Sequence, residues 1–139
     1  MADVKSLNPK QAWQLLQDDP RAILVDVRSN MEFLFVGHPC GAVHIPWIDE
    51  PDWDINPDFV PQVRRLVLGG LSHEGRGNVP IVLICRSGKR SLEAGQALNT
   101  AGFSDVYNVD EGFEGELDEH HHRSSTGGWR FHALPWEQC

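Results

Sequence analysis

Pro80-Ile81-Val82-Leu83-Ile84-Cys85-Arg86-Ser87-Gly88-Lys89-Arg90-Ser91 joins an unbroken apolar run to a short basic turn. The run is rich in branched side chains and reads as a strand buried on both faces. After the turn, Ala94, Ala97, Leu98 and Ala101 recur at helical spacing, with Gly102 as the cap, so a helix is expected over 91–101. Val106-Tyr107-Asn108-Val109 then supplies another strand. A strand, a helix and a second strand in that order form a parallel crossover unit.

Upstream, the alternation repeats. Asn8-Pro9 reads as an N-cap followed by proline at the first helical position, with Ala12, Trp13, Leu15 and Leu16 on one face and Asp18-Asp19-Pro20 as the stop. Ile23-Leu24-Val25-Asp26-Val27 suits a buried strand. Ser29 and Glu32 have the spacing of a capping box, which starts a short helix through Val36 that stops at Gly37. Ala42-Val43-His44-Ile45 is expected as a strand cut off by Pro46, and residues 47–54 as loop. Asn56-Pro57 opens another helix, carrying Phe59, Val60, Val63, Leu66 and Val67 and ending before Gly69-Gly70. A glycine-rich connection over 71–78 leads back to the strand at Ile81. Strands alternating with helices imply an α/β fold with a parallel sheet covered on both faces, whose sites lie beyond the carboxyl ends of the strands. The whole chain, 1–139, reads as one domain, with 110–139 an irregular segment that packs on it through Phe113, Trp129, Phe131, Leu134 and Trp136.

Twelve basic residues against twenty acidic ones give a formal charge of −8. That balance argues against a nucleic-acid binder and against docking on an anionic membrane. No apolar run is long enough to span a bilayer, and Met1-Ala2-Asp3-Val4-Lys5 lacks the apolar core of a signal peptide. A cytoplasmic protein is expected. Nothing demands more than a monomer. Cys40, Cys85 and Cys139 are too scattered for a disulfide framework, and no Cys-x-x-Cys pair or zinc-ligand spacing occurs, so neither metal nor cofactor is expected.

Cys85 stands at the carboxyl end of the best-defined strand. Three of the twelve basic residues, Arg86, Lys89 and Arg90, lie within the seven residues from Cys85 to Ser91, and no acidic residue does. A strand-to-helix turn aims backbone N–H groups at one point and adds the helix dipole, so a thiol there is biased towards the nucleophilic thiolate. Gly88 fits the tight cradle. Two chemistries suit such a thiolate: attack on the outer sulfur of a donor such as thiosulfate, or attack on phosphorus. A phosphatase or arsenate-reductase cradle sets its arginine one position further along, where this chain has Ser91. The turn is sized for a single sulfur. A Cys85 sulfur sealed from solvent with its neighbouring amides turned outward would overturn the assignment.

Asp26-Val27-Arg28, Glu32, the run from Gly37-His38-Pro39-Cys40-Gly41-Ala42-Val43-His44-Ile45-Pro46 and the Cys85 turn together resemble the order of motifs in rhodanese domains. Glu111-Gly112-Phe113-Glu114-Gly115, Gly128-Trp129-Arg130 and Leu134-Pro135-Trp136 resemble the endings of a group of bacterial single-domain members. The resemblance implies a three-layer fold with a mostly parallel sheet of about five strands and helices on both faces. It also implies a sulfurtransferase in which Cys85 accepts sulfane sulfur as a persulfide and passes it to a thiol or cyanide. Arg86, Ser87, Gly88, Lys89, Arg90 and Ser91 would form the substrate cradle. The partners implied are a small sulfur-containing anion, thiosulfate or similar, and a sulfur-carrier protein; a non-turnover relay or sensor module that passes persulfide between proteins is the alternative. Some thiosulfate-processing members carry a basic residue where this chain has Glu32.

Other features have simpler expectations. Asp26 and Arg28 brace loops, and Arg90 has the alternative of turning inward onto a carboxylate. Cys40 packs, and Cys139 ends the chain. His44 is a satisfied strand histidine, the tryptophans are core and cover, and His120-His121-His122 form a solvated loop.

Overall fold

The computed structural model describes residues 3–71 and 79–138. In chain order its elements are β1 (Lys5–Leu7), α1 (Pro9–Asp18), β2 (Ile23–Asp26), a π-helical turn (Glu32–Val36), β3 (His38–Pro39), β4 (Val43–His44), α2 (Phe59–Leu71), β5 (Ile81–Ile84), α3 (Lys89–Thr100), β6 (Val106–Val109) and β7 (Trp136–Glu137). The central sheet has five strands in the order β1-β6-β5-β2-β4, and every neighbouring pair is parallel. It is therefore the expected α/β sheet, with β5 at its centre.

Alternation along each strand divides the core in two. Val25, Ile81, Leu83 and Val106 point to one face, where Phe59, Val63 and Val67 of α2 and Ala94 and Leu98 of α3 close over them. Leu24, Val82, Ile84 and Val109 point to the other, where Ala12 of α1 meets Phe113 and Trp129 of the C-terminal segment. That segment thus serves as part of the second covering layer.

Local chemistry sets the element ends. Asn8 Oδ1 accepts from Gln11 N at 2.8 Å while Gln11 Oε1 accepts from Asn8 N at 2.9 Å, a full capping box at the start of α1. Ser29 and Glu32 make the expected reciprocal pair, but the turn they start is π-helical, closed by Gly37 N on Glu32 O at 3.2 Å. α2 begins at Phe59, later than Asn56, because Asn56 Oδ1 takes Asp58 N into a side-chain turn first. It then continues through Gly69-Gly70 instead of stopping there. Residues 72–78 of the expected glycine-rich connection lie outside the described residues, as does Cys139. α3 starts at Lys89, two residues before Ser91, since Gly88 already turns the chain.

Two pairings were not anticipated: β1 beside β6, and the small antiparallel ladder of β3 with β7. Not all the large tail side chains are buried. Phe131 is 46 % and Trp136 40 % exposed, Trp136 packing one edge on Phe113 with the Arg130 guanidinium 5.3 Å from its ring. Trp53 is likewise exposed on the loop after β4. Among the described residues no helix is long and apolar enough to cross a membrane.

Candidate active site

Cys85 leaves the carboxyl end of β5 with its sulfur on the α2/α3 face. Gly88 N–H donates to Sγ at 3.1 Å, and Ser91 Oγ in the first turn of α3 lies 3.2 Å from the same sulfur. One amide of the turn is therefore aimed inward as an anion cradle requires. The residue itself is only 1 % exposed, so one half of the overturning condition is met, the sulfur being sealed from solvent, and the other is not, since the Gly88 amide faces it. Gly88 has φ +104°, and a Cβ there would run into the carbonyl of Asp110, so glycine is needed both for the backbone angle and for the approach of the next segment.

That segment grips the turn from outside. Phe113 N donates to Cys85 O at 2.8 Å, and the amides of Glu114 and Gly115 donate to Arg86 O at 3.0 and 3.1 Å. Gly112 makes the approach possible: with φ +69° it lies so close to the Arg86–Ser87 peptide that any Cβ would collide with it. Behind the turn, Asn108 of β6 is buried; its Nδ2 donates to Gly88 O at 3.1 Å and its Oδ1 accepts from the Ser91 hydroxyl.

The three basic side chains part company. Arg86 and Lys89 are exposed, and Ser87 is half-buried. Arg90 turns onto Glu32, with Nη1 to Oε1 at 2.8 Å and Nη2 to Oε2 at 3.0 Å, a bidentate pair whose side chains are 23 % and 20 % exposed. Partial burial alone would raise the Glu32 carboxyl, but Arg90 and the amide and hydroxyl of Ser29 outweigh it and lower its pKa to about 2. Arg90 is held in its charged form by that carboxylate, with the nearby Cys85 a smaller contribution in the same direction.

Asp26 and Arg28 are fully buried and paired to each other, Nε to Oδ1 at 3.0 Å and Nη2 to Oδ2 at 2.7 Å. Arg28 also caps Gly37 O and lies 4.5 Å over the Phe113 ring, on the sheet face away from the Cys85 sulfur. His44 Nε2 meets Arg28 O at 2.8 Å. Cys40 is half-buried and lines an apolar cavity of about 440 Å³ with Trp13, Leu16 and Val43, apart from the Cys85 turn. His120, His121 and His122 are exposed in a turn organised by Asp118.

Glu32 as the partner of Arg90, Asn108, and the grip of residues 112–115 were absent from the sequence-based site. Asn108 left a local signal, a lone amide in an otherwise apolar strand that must find a partner when buried, and the grip left one in Gly112.

The chain matches the Rhodanese-like domain family over residues 8–118. It belongs to that family. The crystal structure of Rv0390 from M. tuberculosis superposes with a TM-score of 0.84 at 37 % identity, covering 99 % of this chain and all of that one. The thiosulfate sulfurtransferase GlpE of Pseudomonas putida is 32 % identical over 114 residues, 82 % of this chain and 86 % of its own. The polysulfide-sulfur transferase homodimer from Wolinella succinogenes matches with a TM-score of 0.63 at 25 % identity, covering 99 % of this chain and 80 % of that one. Sulfur transfer is the activity that the names of the last two of these relatives give, and at the level of the family it is the activity the match supports.

Proposed function

We propose that the chain is a sulfurtransferase that moves sulfane sulfur through a persulfide on Cys85. With thiosulfate, a lone pair of the Cys85 thiolate attacks the outer sulfur. The new S–S bond forms as the bond to the sulfonate breaks, and sulfite leaves with that electron pair. A thiol or cyanide acceptor then attacks the outer sulfur of the persulfide, and the Cys85 thiolate departs, completing a ping-pong cycle. The observation that carries this is the Gly88 N–H aimed at Sγ in a turn that opens a helix, where an anionic sulfur is stabilised. Arg86 and Lys89, exposed in the turn, would draw an anionic donor in. Arg90, neutralised by Glu32, would hold the turn in place. The low exposure of Cys85 suits the sheltering of a reactive persulfide.

The same ion pair favours a second reading, in which the donor is a persulfidated carrier protein, whose reacting group carries one negative charge where thiosulfate carries two. The working compartment proposed is the cytoplasm, with no cofactor and the monomer as the active form. Treating the reduced protein with thiosulfate should add one sulfur atom, read by intact mass and mapped to Cys85. Cys85→Ser should abolish the addition, while Cys40→Ser and Cys139→Ser keep it. Sulfur uptake that survives Cys85→Ser overturns the assignment. Turnover to thiocyanate with thiosulfate and cyanide separates the enzyme from a relay that holds its persulfide.

A further inference from the structure

Four groups close a buried hydrogen-bonded ring at the sulfur. Gly88 N–H donates to Cys85 Sγ at 3.1 Å, Asn108 Nδ2 donates to Gly88 O at 3.1 Å, Ser91 Oγ contacts Asn108 Oδ1, and Ser91 Oγ also lies 3.2 Å from Sγ. Cys85, Ser91 and Asn108 are all buried, so solvent does not fill in for a missing partner. Proton accounting around this ring is restrictive. Gly88 O only accepts, which fixes the Asn108 amide with Nδ2 towards it and Oδ1 towards Ser91. Oδ1 also only accepts, and Ser91 has one hydroxyl proton.

Two arrangements follow. With Ser91 donating to Asn108, the serine turns a lone pair to the sulfur, which suits an S–H donor and opposes a bare thiolate. With Ser91 donating to a thiolate, Asn108 Oδ1 is left buried without a donor, which is unfavourable. Once sulfur has been accepted, the negative charge lies on the outer atom. The inner sulfur is neutral and carries no proton, so Ser91 returns to Asn108 with nothing lost. We propose that Asn108 is a positioning residue that aims the Ser91 hydroxyl away from Cys85 in the resting protein, disfavouring the bare thiolate against both the thiol and the persulfide. The persulfide half of this rests on the proposed function; the thiol half does not. The charged groups around the sulfur are Arg86, Lys89 and Arg90 of the turn, with Glu32 on Arg90, Asp26 in reach of Arg90, and Asp110 beside Gly88. Substitutions at Asn108 and Ser91 leave all of them in place.

The test is the titration of Cys85 in the resting protein, followed through the Cβ carbon shift of cysteine by NMR in wild type, N108A, S91A and S91A/N108A. Freed from Asn108, the Ser91 proton reaches the thiolate, so N108A should ionise at a pH lower by about one unit. In the S91A background, removing Asn108 should give no such drop. N108V, which suits a buried strand better, should match N108A. In wild type, the Asn108 side-chain carbonyl shift should follow the Cys85 titration, and this coupling should vanish in S91A. A drop of equal size in both backgrounds, or an Asn108 carbonyl that ignores Cys85 in wild type, overturns the proposal. None of these measurements needs a sulfur donor, so a failed persulfide assay and a failed ring are told apart.

Discussion

Glu32 shows how one side chain can serve two elements. Its carboxylate closes the capping box with Ser29 and receives both terminal nitrogens of Arg90, from a residue 58 positions away. Its pKa falls from the ordinary 4.5 to about 2 in the folded chain, so the unfolded state binds a proton more readily. The stability this contributes is fully present above pH 4.5 and is lost as the pH falls towards 2; a shift of that size corresponds to about 3 kcal/mol. Glu32→Gln should therefore destabilise the protein by roughly that amount at pH 7. The difference between the two proteins should shrink steadily between pH 4.5 and 2, as measured by urea unfolding at a series of pH values. A difference that stays constant with pH would mean the pair is held by shape and not by charge. The sequence displayed Cys85, Arg86, Lys89 and Arg90 because they are adjacent in the chain. It could display Ser29 with Glu32 as a cap, but not Glu32 with Arg90, because only the fold brings those two together.

Elements were legible where their own side chains carry the signal. β5 and β6 are apolar enough to be recognised without partners, and α1 has its cap, its proline and its apolar face. β1, β3 and β7 are two or three residues long, and each exists only because another strand lies beside it. α2 passes Gly69-Gly70 because each glycine weakens a helix by only about 1 kcal/mol. Phe59, Val63 and Val67, buried against the sheet, contribute more than that. The tail gave no periodicity to read, yet its residues 112–115 bond the Cys85 turn through backbone groups alone. Such contacts leave their mark in the glycine that permits them. Gly112→Ala would place a Cβ against the Arg86–Ser87 peptide at a positive φ, at a cost of about 1–3 kcal/mol. The displaced turn should then slow sulfur uptake by Cys85 at least about tenfold, since a small misplacement of reacting groups has an effect of that order or greater. Rates by intact mass, taken where unfolding curves show the variant folded, check this. Uptake at the wild-type rate would show that the tail covers the turn without positioning it.

At the scale of the molecule, two fields of opposite sign act on an anionic donor. The chain as a whole carries a formal charge of −8 and repels it. Arg86 and Lys89 stand exposed in the turn that follows Cys85, and attract the donor from short range. Salt weakens both, the screening length being about 10 Å at 0.1 M ionic strength. In the wild type the opposed trends should leave the second-order rate of persulfide formation from thiosulfate nearly flat, or gently falling, as salt is added. Replacing both residues, R86A with K89A, removes the attraction and leaves the repulsion. The double variant should therefore be slower at low salt by about tenfold, the lower end of what electrostatic steering supplies. Its rate should also rise with added salt, reversing the sign of the slope, because screening now relieves only repulsion. Uncharged donors provide the control, since neither field acts on them at a distance and both proteins should then show the same salt profile. A double variant whose rate falls with salt as the wild type's does would mean that the field at the sulfur comes from elsewhere. The Arg90–Glu32 pair and the start of α3 would then be the groups to change next, because they are a further charge pair and dipole fixed beside the turn.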